Sequence, residues 1–498
     1  MNKAISEKTE ARFDEKDAGL AYIIAKVSPR MGILMLSSLL VLGGCGRRLP
    51  ASMLEEPSPT AAAGNTAAVP TTEAGSGETQ DPAEQEGDAG QDTENAETPI
   101  LRDAVRAKLG GFVGCAVTGA EIDDPKVWEI ITTHFEAVTL GNELKPDALV
   151  GYSVSTCPGT EVAELNGESI VVPRLDHSRA DKILDKILAW NEEHPDRKLK
   201  VRGHVLVWHS QTPEWFFHVD YDKNKGYVSA GEMDKRLEWY IREVLTYYTG
   251  ENSRYRDLFY GWDVVNEAIS DGTGTYRGDA ENPNESLSED RHGSNSSWWH
   301  VYQSNEYIIN AFKYANKYAP AELELYYNDY NECDSRKQDG IVELLEAVKA
   351  EEGPSGEGTR ISAMGMQGHY GMDNPDYNSV ASAIKLYARR VGKVQLTEID
   401  VSASADYDPG SADSVAEENE KLKKRYNMLY YAINSANNED YVTVEGITFW
   451  GTVDHYSWLQ SRSNVGGGNT TGLPQMPLLF GADYQPKPCF YVFAEPKQ

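Results

Sequence analysis

The chain has 498 residues, 40% of them hydrophobic and 25% charged, with a formal net charge of −31. That length gives ample apolar mass for a large core, and it suits one α/β barrel behind an unfolded segment. The charge weighs against nucleic acid or an anionic membrane surface as partner, since both would repel the chain; a neutral substrate is compatible with it.

In chain order, the first feature is the 14-residue apolar run Met31–Gly44, preceded by Lys26 and Arg30. It is short for a membrane span, which needs ~20 residues, and suits the apolar part of a signal peptide. Leu42-Gly43-Gly44-Cys45 follows and resembles a bacterial lipobox, which implies cleavage before Cys45 and a lipid on that cysteine. Glu7, Glu10 and Asp14 ahead of the run disagree with a signal segment and suggest a true start further along. From Ala51 to Pro99 there are eleven Asp/Glu, no Lys or Arg and no aromatic residue. Such a segment buries too little apolar surface to offset its ordering entropy, and it reads as an extended tether. The division expected is 1–45 signal segment with lipobox, 46–100 disordered acidic linker and 101–498 catalytic domain. The location implied is exported: a cell-surface lipoprotein or a secreted protein, touching membrane only through Cys45.

Beyond Asp103, short apolar runs alternate with segments of helical period. The predicted strands are Phe112–Ala116, Phe135–Leu140, Leu199–Val207, Tyr260–Asn266, Leu323–Tyr327, Ile361–Met366, Val394–Thr397 and Val444–Trp450. Amphipathic helices are predicted over Asp234–Tyr248, Asn305–Tyr318 and Glu418–Ala436. Eight strands alternating with helices predict a parallel (β/α)₈ barrel; a doubly wound sheet lacks support, because no Gly-rich nucleotide turn follows the first strand. Chemistry in such barrels gathers at the C-terminal strand ends. There the sequence places Asn142 and Lys145 (strand two), His204, Trp208 and Gln211 (three), Asn266 and Glu267 (four), Gln367 and His369 (six), Glu398 and Asp400 (seven) and Trp450 (eight). The coincidence across strands is the signal; any single Asn-Glu pair is weak.

Carboxylates at strand ends four and seven invite the two-carboxylate mechanism of glycosidases, which in retaining enzymes needs a separation of ~5 to 5.5 Å. Glu398 is assigned as nucleophile, kept ionised by a donor such as His369, whose ring Asp400 would orient from the same strand face. Glu267 is assigned as acid/base, starting protonated beside the anionic Glu398. Asn266 is a candidate for the sugar 2-hydroxyl.

The strings GHVLVWHSQTPEW, WDVVNEA, NDYN, LTEIDVS and FWGTVDHYSW resemble glycoside hydrolase family 10, the endo-β-1,4-xylanases, in the family's order from about Asp103 to about Tyr491. The resemblance implies the (β/α)₈ fold, hydrolysis of internal xylosidic bonds of xylan or xylo-oligosaccharides with retention, and no cofactor or metal. It implies that Asn142, Lys145, His204, Trp208, Gln211, Asn266, Gln367 and His369 line the glycone subsites, with Trp450 and Trp458 flanking the sugars. Gly141 departs from it, standing where many members carry an acid. The stretches Gly151–Arg174 and Ser270–Asn295 look long, and both are expected near the cleft mouth.

Blander readings stand beside these. His204 and His209 lack metal-site spacing. Trp208 and Trp262 are candidates for core packing, and Trp239, Tyr240 and Tyr247 for packing or surface. Asp263 is a weaker catalytic candidate than Glu267, on the ground that successive strand residues face opposite sides. Asp406, Asp408 and Asp413 read as solvated loop acids rather than a calcium site. Cys115 reads as core, and among Cys45, Cys115, Cys157, Cys333 and Cys489 at most one late disulfide is expected. The competing functions are a related retaining β-glucanase or cellulase, and a non-catalytic polysaccharide-binding lipoprotein.

Overall fold

The computed structural model describes residues 98–153, 155–279, 294–462 and 474–495. The expected signal segment, Cys45 and nearly all of the acidic linker lie outside the described residues, as do residues 280–293 of the stretch after Glu267.

Eight parallel strands close into a barrel: β1 Phe112–Val117, β2 Ala137–Leu140, β3 Lys200–Trp208, β4 Phe259–Asn266, β5 Glu324–Asp329, β6 Ala363–Met366, β7 Lys393–Ser402 and β8 Thr443–Phe449. Each pairs with the next in sequence, and β8 pairs back onto β1. All eight predicted strands are present. β7 is longer than predicted: it runs on past Thr397 through Glu398 and Asp400, because His369–Gly371 lies alongside and pairs with Asp400–Ser402. Glu398 therefore stands within a strand rather than at its end.

Helices follow the strands and cover their outer faces, as buried parallel strands require. The helix starts carry ordinary caps. Asp124 accepts from the Lys126 amide ahead of Pro125–His134, and Ser229 accepts from the Glu232 amide ahead of Ala230–Thr249. The helix Leu101–Leu109 packs beside Phe490–Ala494, and Asn437 caps its last turn by donating to the Leu109 carbonyl at 2.8 Å. Trp239 and Tyr240 are buried and Tyr247 is partly exposed, as packing residues. Trp262 is core: it faces outward, stacks on Phe259 with centroids 4.9 Å apart, and lies against Tyr248. Gly203 on β3 makes room for it, since a Cβ there would sit 2.0 Å from the indole.

The opposite faces of β3 and β4 point inward and are polar. Arg202 and Asp263 form a bidentate pair, and Arg202 also donates to Gln395 at 2.6 Å and stacks on Tyr326 at 3.8 Å. This corrects the reason given for setting Asp263 aside. It shares the interior face with the site residues, but lies deeper, 1% exposed and bound by Arg202 and His204. Burial pushes the Asp263 carboxyl up, and the charges and hydrogen bonds of Arg202 and His204 outweigh that and hold it below its ordinary value.

The Gly151–Arg174 stretch is corrected in part. Its middle forms an antiparallel hairpin, Thr160–Leu165 with Glu168–Pro173, turned at Asn166-Gly167 with φ of 51° and 87°. The hairpin lies on the flank of helix Ala230–Thr249. Asn166 donates to Glu238 at 2.8 Å, and Arg242 donates to the Glu164 carbonyl at 2.8 Å. The reason is that Leu165 and Val172 are apolar and become buried there.

Candidate active site

The predicted site residues are brought together at the C-terminal mouth, linked by a continuous series of contacts. Lys145, just past β2, donates to Asn142 and to Gln211 at 3.0 Å each, and its ammonium lies 5.1 Å from the Trp208 ring centre. Trp208 ends β3 and donates its indole N–H to Glu267 Oε2 at 2.8 Å. Trp208 thus reaches into the candidate site rather than only packing in the core. Gln367 donates to Glu267 Oε1 at 2.9 Å, and Asn266 donates to the same oxygen at 3.1 Å.

That both Asn266 and Glu267 reach the mouth requires a break in strand alternation. The break is visible: Glu267 has φ of +54°, in the left-handed region. For a non-glycine residue this costs about 1–2 kcal/mol, and such strain concentrates at functional positions. Without it, the Glu267 side chain would follow the outward face toward the helices.

Glu398 is 5% exposed. Its Oε1 accepts from Asn328 Nδ2 at 2.8 Å, and its Oε2 lies 3.2 Å from His369 Nε2. Burial pushes its carboxyl up; the His369 hydrogen bond, the nearby His204 and His369 charges and the Asn328 amide overcome that and hold it below its ordinary value. His369 in turn places Nδ1 2.8 Å from Asp400 Oδ1. Burial pulls the imidazole down, but the Asp400 charge and hydrogen bond, followed by those of Glu398, raise it to about 10. Asp400 is fully buried, and its other oxygen accepts from the Trp458 indole N–H at 2.6 Å. Trp458 therefore braces Asp400 and also stands against His369, with ring centres 5.0 Å apart. Trp450 stands edge-on to His204 at 5.5 Å and to His369 at 6.2 Å. His204 Nδ1 lies 2.9 Å from Asp263, which fixes which ring nitrogen faces the mouth.

One residue that ties the two carboxylates together was not singled out from sequence. Asn328, in the NDYN string, donates from Nδ2 both to Asn266 Oδ1 at 2.9 Å and to Glu398 at 2.8 Å, while Thr397 fixes its carbonyl oxygen. The signal was available: a polar residue ending β5, the strand next to β4, one strand removed from β7. His209 is buried against Trp208 with its ring edge-on at 6.1 Å. Asp406, Asp408 and Asp413 are exposed, and no His/Cys/Asp/Glu group suited to a metal occurs among the described residues. Cys115, Cys157, Cys333 and Cys489 are free thiols, so the late disulfide is not formed among them, and Cys115 is core.

A closed βα barrel with one glutamate just past β4 and one on β7, joined through side-chain amides, is the architecture of the two-carboxylate glycoside hydrolases. Within that class the chain belongs to glycosyl hydrolase family 10, whose profile matches residues 101–496. It is 32% identical over 388 residues to endo-1,4-beta-xylanase Y of Acetivibrio thermocellus, covering 77% of this chain and 31% of that protein. It is 30% identical to endo-1,4-beta-xylanase A of Butyrivibrio fibrisolvens, covering 75% of this chain and 82% of that one. The chain spans about a third of the length of the first curated relatives it matches. Among solved structures, it is similar to the family 10 protein of Paenibacillus barcinonensis (27% identity, TM-score 0.61, 80% of this chain and 98% of that one). A Clostridium thermocellum endo-1,4-beta-D-xylanase fragment complexed with xylohexaose matches with 27% identity and TM-score 0.61, covering 80% of this chain and 68% of that one.

Proposed function

We propose that this chain is an endo-1,4-β-xylanase that cleaves internal bonds of xylan with retention of configuration. The observation that carries the reading is the pairing of Glu398, buried and favoured as its anion by His369 and Asn328, with Glu267, joined to it through Asn266, Asn328 and Gln367. In the first step a Glu398 oxygen attacks the anomeric carbon, the glycosidic C–O bond breaks, and Glu267 gives its proton to the departing oxygen. Glu267 then takes a proton from water as that water attacks the anomeric carbon and frees Glu398. Asn142, Lys145, Gln211 and His204 hold glycone hydroxyls, Asn266 meets the 2-hydroxyl, and Trp450 and Trp458 supply apolar walls. The names of the relatives and the xylohexaose complex of a similar fold support xylan as substrate.

The test is time-resolved NMR of the products from xylan and from a soluble β-glucan, with wild type and Glu398→Ala. A first-formed β-anomer from xylan, lost in the variant, is expected; a first-formed α-anomer rejects retention, and faster turnover of the glucan rejects the substrate.

The same proposal extends to the whole chain: residues 1–45 direct export, Cys45 carries lipid, residues 46–100 form a tether, and residues 101–498 are the catalytic domain. Incorporation of labelled palmitate that is lost in Cys45→Ala tests it.

A further inference from the structure

The left-handed backbone at Glu267 needs something to hold it, and both of its flanking peptide planes are held. In the plane before the α-carbon, the Glu267 N–H donates to the Asn328 carbonyl at 2.9 Å. In the plane after it, the Glu267 carbonyl accepts from Arg277 Nε at 3.0 Å. Fixing both planes fixes φ and ψ, and with them the direction of the Cα–Cβ bond. The chain returns tightly after Glu267: Ile269 bridges Tyr276, and the Arg277 amide donates to the Ala268 carbonyl at 2.7 Å. This return brings the Arg277 side chain beneath the residue it anchors. The guanidinium is 4% exposed and engages every nitrogen: beyond Glu267 it donates to the Ile269 and Ser294 carbonyls and to the Tyr330 hydroxyl, at 3.2 to 3.3 Å. Tyr330 donates to Asp271, and Lys337 bridges Asp271 and Asp329 at 2.7 and 2.9 Å, so the charges around the clamp are balanced. A compact lysine ammonium cannot span the carbonyls that a planar guanidinium reaches.

We propose that Arg277 is a positioning residue for proton transfer by Glu267: it clamps the backbone whose conformation aims that carboxyl at the leaving oxygen. The proposal rests on Glu267 being the acid/base. Misplacement of a reacting group by about 1 Å costs ~100-fold in rate, and a misaimed acid matters only where the leaving group needs a proton.

The test measures kcat/KM of Arg277→Met and Arg277→Lys on aryl β-xylobiosides with phenol and with 2,4-dinitrophenol as leaving groups. Glu267→Ala is run alongside. The expected result is a loss of ~30- to 100-fold with phenol but under about 3-fold with dinitrophenol. KM for xylan is expected to stay within about 2-fold. Arg277→Lys keeps the charge and serves where Arg277→Met fails to fold. Equal losses with both leaving groups, or no loss, overturn the proposal while leaving the Glu267 reading intact if Glu267→Ala still shows the leaving-group contrast. If Glu267→Ala shows no such contrast, the acid/base reading fails and the clamp's role fails with it.

Discussion

Asp400→Asn keeps the size of a side chain and removes one charge from behind the proposed nucleophile. Asp400 accepts from His369 at 2.8 Å and from Trp458 at 2.6 Å, with no solvent access. It provides the largest of the influences that raise His369 to about 10, against a burial effect that alone would lower it. A rise of about 3.5 units above the ordinary histidine value corresponds to roughly 5 kcal/mol favouring the imidazolium, at about 1.4 kcal/mol per unit. With Asp400 neutral, burial again opposes only the Glu398 contact. The imidazole is then expected to titrate ~2–3 units lower, near neutrality. The sign follows from linkage. A raised histidine adds stability that is fully present below about 6.5 and is lost as pH rises through about 10. The proposed mechanism also depends on a protonated acid on the alkaline side of kcat/KM, so the change at His369 is read from stability: the pH range over which its stabilisation is lost moves down by ~2–3 units in the variant. The acid limb belongs to Glu398, held below its ordinary value; its contribution is present above about pH 4.5 and lost as pH falls through the folded value. In acid the variant's His369 is still charged, so that limb stays put. The assay is kcat/KM on xylohexaose from about pH 4 to about pH 10, with urea unfolding at the same points. An alkaline loss of stability that does not move, or a kcat/KM profile that narrows from the acid side, refutes the reasoning.

Three further outcomes are expected. Glu398→Ala reduces kcat on xylan by roughly 10⁴-fold or more, the scale of deleting a nucleophile, whereas Glu267→Ala costs ~10²- to 10⁴-fold and recovers with activated leaving groups; steady-state and burst kinetics separate the two. Gly203→Ala, whose Cβ would meet the Trp262 indole at 2.0 Å, destabilises by about 1–3 kcal/mol or fails to fold, read from the urea midpoint. Asp263→Asn leaves the buried Arg202 charge without its partner and costs about 3–5 kcal/mol in urea unfolding, with a rise in KM from the release of His204.

The barrel and its eight strands were legible because apolar runs of strand length recur between helical periods, and the mouth was legible because polar residues recur at strand ends. The geometry within the mouth was not. Strand alternation predicts that Asn266 and Glu267 face opposite ways, and only the left-handed φ at Glu267 reconciles their shared destination. Asp263 was set aside for a wrong reason, since residues four apart on a strand share a face; the bulges at His204/Val207 and Asp263/Val265 act further along, shifting the register ahead of Asn266. The hairpin turn at Asn166-Gly167 was there to be read, flanked by Val162, Leu165, Ile170 and Val172. The direction that hairpin takes was not, since it depends on which helix flank covers Leu165 and Val172.

The barrel interior then raises a question of cost. Apolar layers would fill the space beneath the mouth without desolvating ions, and replacing a buried ion pair by packed hydrophobic side chains is often neutral or stabilising. Arg202, Asp263 and Gln395 occupy that space instead. Their arrangement makes sense as an electrostatic foundation. Arg202 keeps Asp263 ionised, Asp263 fixes the His204 ring, and His204 adds to the field that favours the Glu398 anion. On the other side, Trp458 and Asp400 do the same for His369. The anion of Glu398 is thus held from two directions by groups the barrel itself fixes. Glu267, on the clamp proposed above, takes its aim partly from Asn328 on the barrel and partly from Arg277 in the loop that follows it. On the proposed mechanism, changes in that loop reach proton transfer directly, while the proposed nucleophile stays set by the barrel.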